Sequence, residues 1–195
     1  ILNVVLSLLL AVLSLLLLLD KLLKNWRKGQ VKFMEENQFS RTLLLIGESG
    51  LEKLKNAKVA VFGLGGVGSY VVEALVRSGV HNFVLVDKDV VSLSNINRQI
   101  IATHNTVGRL KVDIEKERIL SINPTANVET FAEFFMPGNS EILNNSITYI
   151  VDAIDTVTAK IELVMQAEKL NVPIISSMGT GNKLNPRFVW NYRYL

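Results

Sequence analysis

The sequence predicts an α/β fold, an open and mostly parallel sheet with helices on both faces. Three observations carry the prediction. Short apolar runs, unbroken in Val59–Phe62 and preceded by one polar residue in Asn82–Val86, suit strands buried on both faces. Segments of helical spacing alternate with these runs, as parallel strands joined by crossovers require. At the first strand-to-helix junction stand Gly63, Gly65, Gly66 and Gly68, within KVAVFGLGGVGS. A G-x-G-x-x-G pattern carries weight only in that strand–turn–helix setting.

The elements follow in order. Residues 1–19 carry no charge and are long enough to cross a bilayer as a helix, with Lys21, Lys24, Arg27 and Lys28 directly after them. Residues 1–24 therefore read either as a transmembrane helix or as a spurious N-terminal extension, since the chain begins with Ile. If the segment spans, the basic residues behind it place the remainder in the cytoplasm, anchored to the membrane through residues 1–19. Residues 25–37 are a polar linker, and residues 38–195 form the folded domain. Phe39–Gly47 is a short apolar segment carrying Arg41, and Glu48–Ala57 is a helix with Leu51 and Leu54 on its buried side.

After the glycine turn, Tyr70–Ser78 forms a helix, and Asn82–Val86 a second strand that ends at Asp87, followed by Lys88 and Asp89. Val91–Gln99 is polar and irregular. Gly108–Ile122 is an amphipathic helix, with Val112, Ile114, Ile119 and Leu120 inside and Lys111, Glu115 and Lys116 mostly outside. Asn123 and Pro124 end it. Asn127–Phe131, Ile147–Val151 and Val172–Ser176 are further strands. Val157–Leu170 is a helix, and Met136–Leu143 is a loop with a short helix. The pattern is Rossmann-like. Ligands bind such sheets at the carboxyl ends of the strands, where Gly63–Gly68, Asp87, Asp155 and Gly179–Gly181 converge.

Composition narrows the chemistry. The 195 residues have a net charge of +3, which permits nucleic acid as a partner without demonstrating it. There is no cysteine, so disulfides, thiolate metal sites and a cysteine nucleophile are excluded within this chain. The two histidines, His81 and His104, are too few for a histidine-based metal cluster.

The glycine loop suits nucleotide phosphate, carried by free N–H groups at a helix N-terminus. Asp87, about 20 residues beyond the loop, stands where such folds place an acid on the ribose. A nicotinamide dehydrogenase would leave Arg98, Lys111 and Asp155 without work. Two cations that can face phosphates, and a strand-end carboxylate that can hold Mg²⁺, suit ATP better. Each has a plainer reading: surface charge for Arg98 and Lys111, a helix cap for Asp155.

The segments GLGGVGS, LVDKDVVSLSNINRQ, VGRLK and VDAIDT resemble the ThiF/MoeB/HesA superfamily, which is related to the ubiquitin-activating enzymes. NINRQIIATHNTVGRLKVDIEKERILSINP, VDAIDTVTAKIELV and PIISSMGTGNKLNP resemble the tRNA threonylcarbamoyladenosine dehydratase branch, from about Gln38 to Phe188. The resemblance implies ATP- and Mg²⁺-dependent adenylation of the threonyl carboxylate of the modified tRNA, then cyclising dehydration with loss of AMP. It implies nucleotide contacts from Gly63, Gly65, Gly66, Gly68, Asp87, Asn95, Arg98, Gln99 and Lys111, with Mg²⁺ on Asp155. Arg98, Lys111 and Asp155 would act in catalysis. So would Arg41, matching a family arginine that stands before the first helix and reaches into a second subunit, so a homodimer is implied. Family members continue past GNKLNP, whereas this chain turns into RFVWNYRYL, so the adenylation domain is expected to be incomplete at its C-terminus. The alternatives are an enzyme that adenylates a sulfur-carrier protein, with a sulfur-relay partner, and an inactive nucleotide-binding scaffold.

Overall fold

The computed structural model describes residues 36–138, 140–177 and 191–194. The segment read as a membrane span or extension, and the Gly179–Gly181 loop, lie outside the described residues. Among the described residues no helix is long and apolar enough to cross a membrane. Ile1–Ser40 and Arg41–Leu195 are two separate units, and the sheet lies in the second.

The first helix, α1, runs Ser40–Asn56 and is followed by β1 (Lys58–Phe62), α2 (Gly68–Ser78) and β2 (Asn82–Val86). Then come α3 (Lys111–Ile122), β3 (Asn127–Phe131), β4 (Tyr149–Asp152), α4 (Val157–Leu170), β5 (Ile174–Ser177) and β6 (Asn191–Tyr194). The sheet order is β3-β2-β1-β4-β5-β6. The first five strands are parallel, and β6 pairs antiparallel with β5. The prediction of an open, mostly parallel sheet agrees with this architecture. The strand β6 was not expected.

Alternation along β1 explains why the run VAVF has no polar member. Ala60 and Phe62 pack on one face with Val84, Val86 and Ile150, beneath Ala159, Leu163 and Ala167 of α4. Val59 and Val61 pack on the other with Phe83 and Leu85, beneath Val72 and Val76 of α2 and Val112 and Ile119 of α3. Both faces are thus covered, and a central strand with two buried faces has no position for a charge. A full side chain such as Phe62, buried to 0% exposure, contributes roughly 2–3 kcal/mol relative to an exposed one.

Two expectations about helices are corrected. The segment 39–47 is not a separate apolar stretch, because α1 already begins at Ser40. Its two halves meet at Gly47, whose φ of 70° and ψ of 175° break the helix into a kink. In α3, Lys111 and Glu115 are buried rather than outside, at 5% and 0% exposure. The helix has two packed sides: one meets β1, β2 and α2, and the other meets the loop that precedes it. Val91, Ile101 and Ala102 of that loop form a small third core with Ile114.

Candidate nucleotide site

Register sets the site. Phe62 of β1 is level with Val86 of β2 and with Asp152 of β4. Gly63, Asp87 and Ala153 therefore leave the sheet side by side. From β1 the chain goes first to β2 and later crosses to β4 on the other side, so the switch point lies between β1 and β4. A cleft of about 930 Å³ opens there.

Glycine is required at two positions of the turn. Gly63 has φ of 86°, and a Cβ on it would stand 2.7 Å from the Ala153 carbonyl oxygen. A Cβ on Gly68 would overlap the carbonyl oxygen of Gly63. The first turn of α2 can thus sit directly against the strand end. Gly65, Gly66 and Val67 line the cleft. Val67, the residue before the helix, provides no side-chain cap. The helix N-terminus is therefore without a side-chain cap, an arrangement that suits an anion.

Asp87 organises the opposite wall. Its Oδ2 accepts a hydrogen bond from the Leu64 amide at 2.7 Å, and its Oδ1 accepts one from the Asp89 amide at 2.8 Å. Lys111, at the start of α3, stands with Nζ 3.0 Å from Asp89 Oδ2 and 3.8 Å from Asp87 Oδ2. Its backbone amide also bonds the Asp89 carbonyl at 3.0 Å. A lysine this deeply buried needs compensating charge, and the two aspartates supply it. That pairing is why the residue did not behave as a surface lysine.

The stretch after β2 is shaped by its own hydrogen bonds. Asn95 Oδ1 accepts from the Ser92 amide at 3.0 Å, closing the short 3-10 turn Leu93–Asn95. The Arg98 and Gln99 amides both bond the Asn95 carbonyl, at 3.1 and 2.9 Å. Arg98 is exposed, with Nη1 donating to the Ser94 carbonyl and Asn97 Oδ1. Gln99 is buried, and its Oε1 has no hydrogen-bond partner among the described residues. A buried amide oxygen left unpaired beside a glycine turn and an open helix N-terminus suits a polar ligand in the cleft.

On the far side, Asp155 is exposed at the lip and Asp152 is fully buried. Asp152 accepts from Lys160 Nζ at 3.1 and 3.0 Å and from Ser176 Oγ at 2.7 Å. Phe135, packed edge-on against Phe62 at 4.9 Å between centroids, supplies an apolar wall. Lys88 Nζ lies 4.4 Å from the Phe134 ring centroid at the rim. Among the described residues no cluster of three or more His, Cys, Asp or Glu could hold a metal alone. Asp155 fits Mg²⁺ of the kind held by one carboxylate and the phosphates of its substrate.

The cleft thus gathers Gly63, Gly65, Gly66, Asp87, Asn95, Arg98, Gln99, Lys111 and Asp155. Gly68 lies behind the turn and shapes it. Arg41 is exposed and does not line the cleft, and it stands inside α1 rather than before the first helix. Sequence reasoning gave no role to Asp89, Phe134, Phe135 or Lys160. Asp89 was findable, since a second acid two residues after a strand-end aspartate is the simplest partner for a lysine. The phenylalanines had only the weak signal of two aromatics after a strand.

A mostly parallel sheet with a glycine turn, an acid after the second strand and a polar cleft at the switch point defines an α/β domain of the Rossmann-like class. The chain belongs to the ThiF family, whose profile matches residues 39–191. It is 48% identical over 151 residues to the tRNA threonylcarbamoyladenosine dehydratase of Bacillus subtilis, covering 77% of this chain and 59% of that protein. The Escherichia coli protein of the same name is 36% identical over 150 residues, covering 76% and 56%. The crystal structure of Escherichia coli tRNA N6-threonylcarbamoyladenosine dehydratase, TcdA, in complex with ATP superposes with a TM-score of 0.74 at 36% identity, covering 77% of this chain and 62% of that one. The chain therefore spans a little under two thirds of the length of these relatives.

Proposed function

We propose that this chain binds ATP in the switch-point cleft and adenylates the threonyl carboxylate of tRNA threonylcarbamoyladenosine, after which the product cyclises with net loss of water. The observation that carries the reading is the convergence of an uncapped helix N-terminus, the Asp87–Lys111–Asp89 pairing, Arg98 and Asp155 in one cleft. The acceptor is supported by the names and identities of the relatives.

In the first step a carboxylate oxygen attacks the α-phosphorus of ATP, and the bond to the β-phosphate bridge breaks. Pyrophosphate leaves with that electron pair. Gly65, Gly66 and the first turn of α2 would hold phosphate oxygens through backbone N–H groups, and Asp87 would take the ribose. Arg98 and Lys111 would oppose the negative charge that grows on the leaving group. Gln99 would accept a hydrogen bond from the ligand with its unpaired amide oxygen. Mg²⁺ when bound neutralises phosphate charge, and Asp155 would hold it. In the second step the carbamoyl group attacks the activated carbonyl carbon, AMP leaves, and the carbamoyl proton passes to solvent. Adenylation replaces hydroxide by AMP as leaving group, and ring closure gains from having both partners on one nucleoside.

The same reading includes a homodimer. Val157, Ile161 and Met165, four residues apart on α4, are 66%, 57% and 57% exposed. Such an apolar stripe supports burial against a second copy of this chain. Release of AMP from ATP with modified tRNA, and not with unmodified tRNA, tests the reaction. AMP formation that depends instead on the C-terminal carboxylate of a sulfur-carrier protein would move the reading to that acceptor.

A further inference from the structure

Asp155 is only as well placed as the turn that carries it, and that turn is tied at both ends. At its start, the Ala153 amide bonds the Phe62 carbonyl at 2.8 Å and the Ile154 amide bonds Asp152 Oδ1 at 3.1 Å. At its far end, one turn into α4, Lys160 reaches back. Its Nζ donates to both oxygens of Asp152 and to the Ser177 carbonyl at 2.8 Å. Ser176 Oγ completes the set on Asp152 Oδ2. A single ammonium thus joins the end of β4, the first turn of α4 and the end of β5. Asp152 is 0% exposed and the Lys160 side chain 13%, so the bonds are made away from bulk water. Both oxygens of Asp152 are occupied, so it has no free lone pair directed at the cleft. Lys160 does not line the cleft at all.

We propose that Lys160 is a positioning residue for the adenylation site: by cross-linking Asp152 and the Ser177 carbonyl it fixes the turn 153–156 and so sets where Asp155 presents its carboxylate. The proposal rests on the adenylation reading given above. Lysine suits the task because one point charge with three donors serves three acceptors that lie in different directions.

The test compares the full chain with Lys160→Met, Lys160→Arg and Ser176→Ala, the last removing one bond and keeping the ion pair. Amide hydrogen exchange is followed first, without nucleotide. Lys160→Met is expected to raise exchange at 153–156 about ten-fold, with β1 and β2 unchanged. Lys160→Arg should restore part of the protection, and Ser176→Ala should give a smaller, equally local rise. ATP titrations with and without Mg²⁺ follow. The gain in ATP affinity caused by Mg²⁺ should fall about ten-fold in Lys160→Met while Mg²⁺-free affinity holds, as expected when a ligand's supporting partner is lost. Unchanged exchange at 153–156, or a rise spread evenly over the sheet, would overturn the proposal. So would local loosening with an unaltered Mg²⁺ effect. If the unaltered chain fails to bind ATP, the adenylation reading falls, and the exchange data still decide whether Lys160 holds the turn.

Discussion

Replacing Glu115 by glutamine should stabilise this protein at neutral pH and flatten the pH dependence of its stability. Glu115 lies in α3 at 0% exposure, and neither of its carboxyl oxygens has a hydrogen-bond partner among the described residues. Burial pushes its pKa from the usual 4.5 to about 8, the charge of Glu73 adds to the rise, and Arg118 opposes it. Glu73 of α2 is itself held as a carboxylate, with a lowered pKa, chiefly by hydrogen bonds from Arg118 at 2.9 and 2.8 Å, with Arg77 assisting. The two arginines thus serve Glu73, and Glu115 is left protonated beside them.

Below about pH 4.5 both folded and unfolded chains carry the proton, and folding is indifferent to it. Between about 4.5 and 8 the folded protein keeps a proton that the unfolded chain has released. Each pH unit in that window removes about 1.4 kcal/mol of stability, and by pH 7 the loss is roughly 3 kcal/mol. Glutamine has nearly the same shape as the protonated acid, carries an amide NH2 in place of its O–H, and does not titrate. Urea unfolding of both proteins between pH 5 and 8 is the assay. The parent should lose stability steeply with rising pH relative to Glu115→Gln, and the two curves should approach each other near pH 5. Parallel curves, or a glutamine variant less stable than the parent at pH 7.5, would refute the reasoning.

Other perturbations address the cleft. Gly68→Ala must push α2 off the end of β1, because the added carbon overlaps a backbone carbonyl, and thermal unfolding should show a loss of about 3 kcal/mol or failure to fold. Lys111→Ala removes the cation beside Asp87 and Asp89 and should cost about 1 kcal/mol of stability, since Asp87 keeps its two amide donors and Asp89 is half exposed, together with weaker ATP binding by titration. Asp155→Ala should leave stability unchanged, since the residue is exposed, and abolish adenylation while weakening ATP binding less. Gln99→Leu removes an unpaired buried oxygen, so the free protein should be no less stable, while ATP affinity should fall by about ten-fold.

Local pattern made the sheet legible. Runs such as VAVF and NFVLV mark strands wherever both faces are covered, and the glycine turn fixes which strand comes first. The acid at 87 was legible for the same reason, because a strand end in a parallel sheet is a defined place. What was not legible depended on contacts distant in sequence. Lys111 was legible as a phosphate contact but not as a buried residue, because its helical spacing puts it mostly outside until Asp87 and Asp89, more than twenty positions away, are seen to enclose it. Glu115 has helical spacing that leaves it outside only if α3 has one buried side. The structure buries it completely, close enough to Glu73 of α2 for that charge to act on it. The extension of α1 back to Ser40 was hidden because Gly47 interrupts the helical run. Lys160 carried no signal of its own, being one of two lysines on α4, and only the register of β4 with β5 brings Asp152 and Ser176 level beside it.

ATP–pyrophosphate exchange on the full chain, with and without tRNA carrying threonylcarbamoyladenosine, tests the central claim most directly. Exchange that requires the modified tRNA, and is lost in Asp155→Ala, is the predicted result. A folded chain that binds ATP yet gives no exchange with the modified tRNA would contradict the claim and leave a nucleotide-binding domain without adenylation activity.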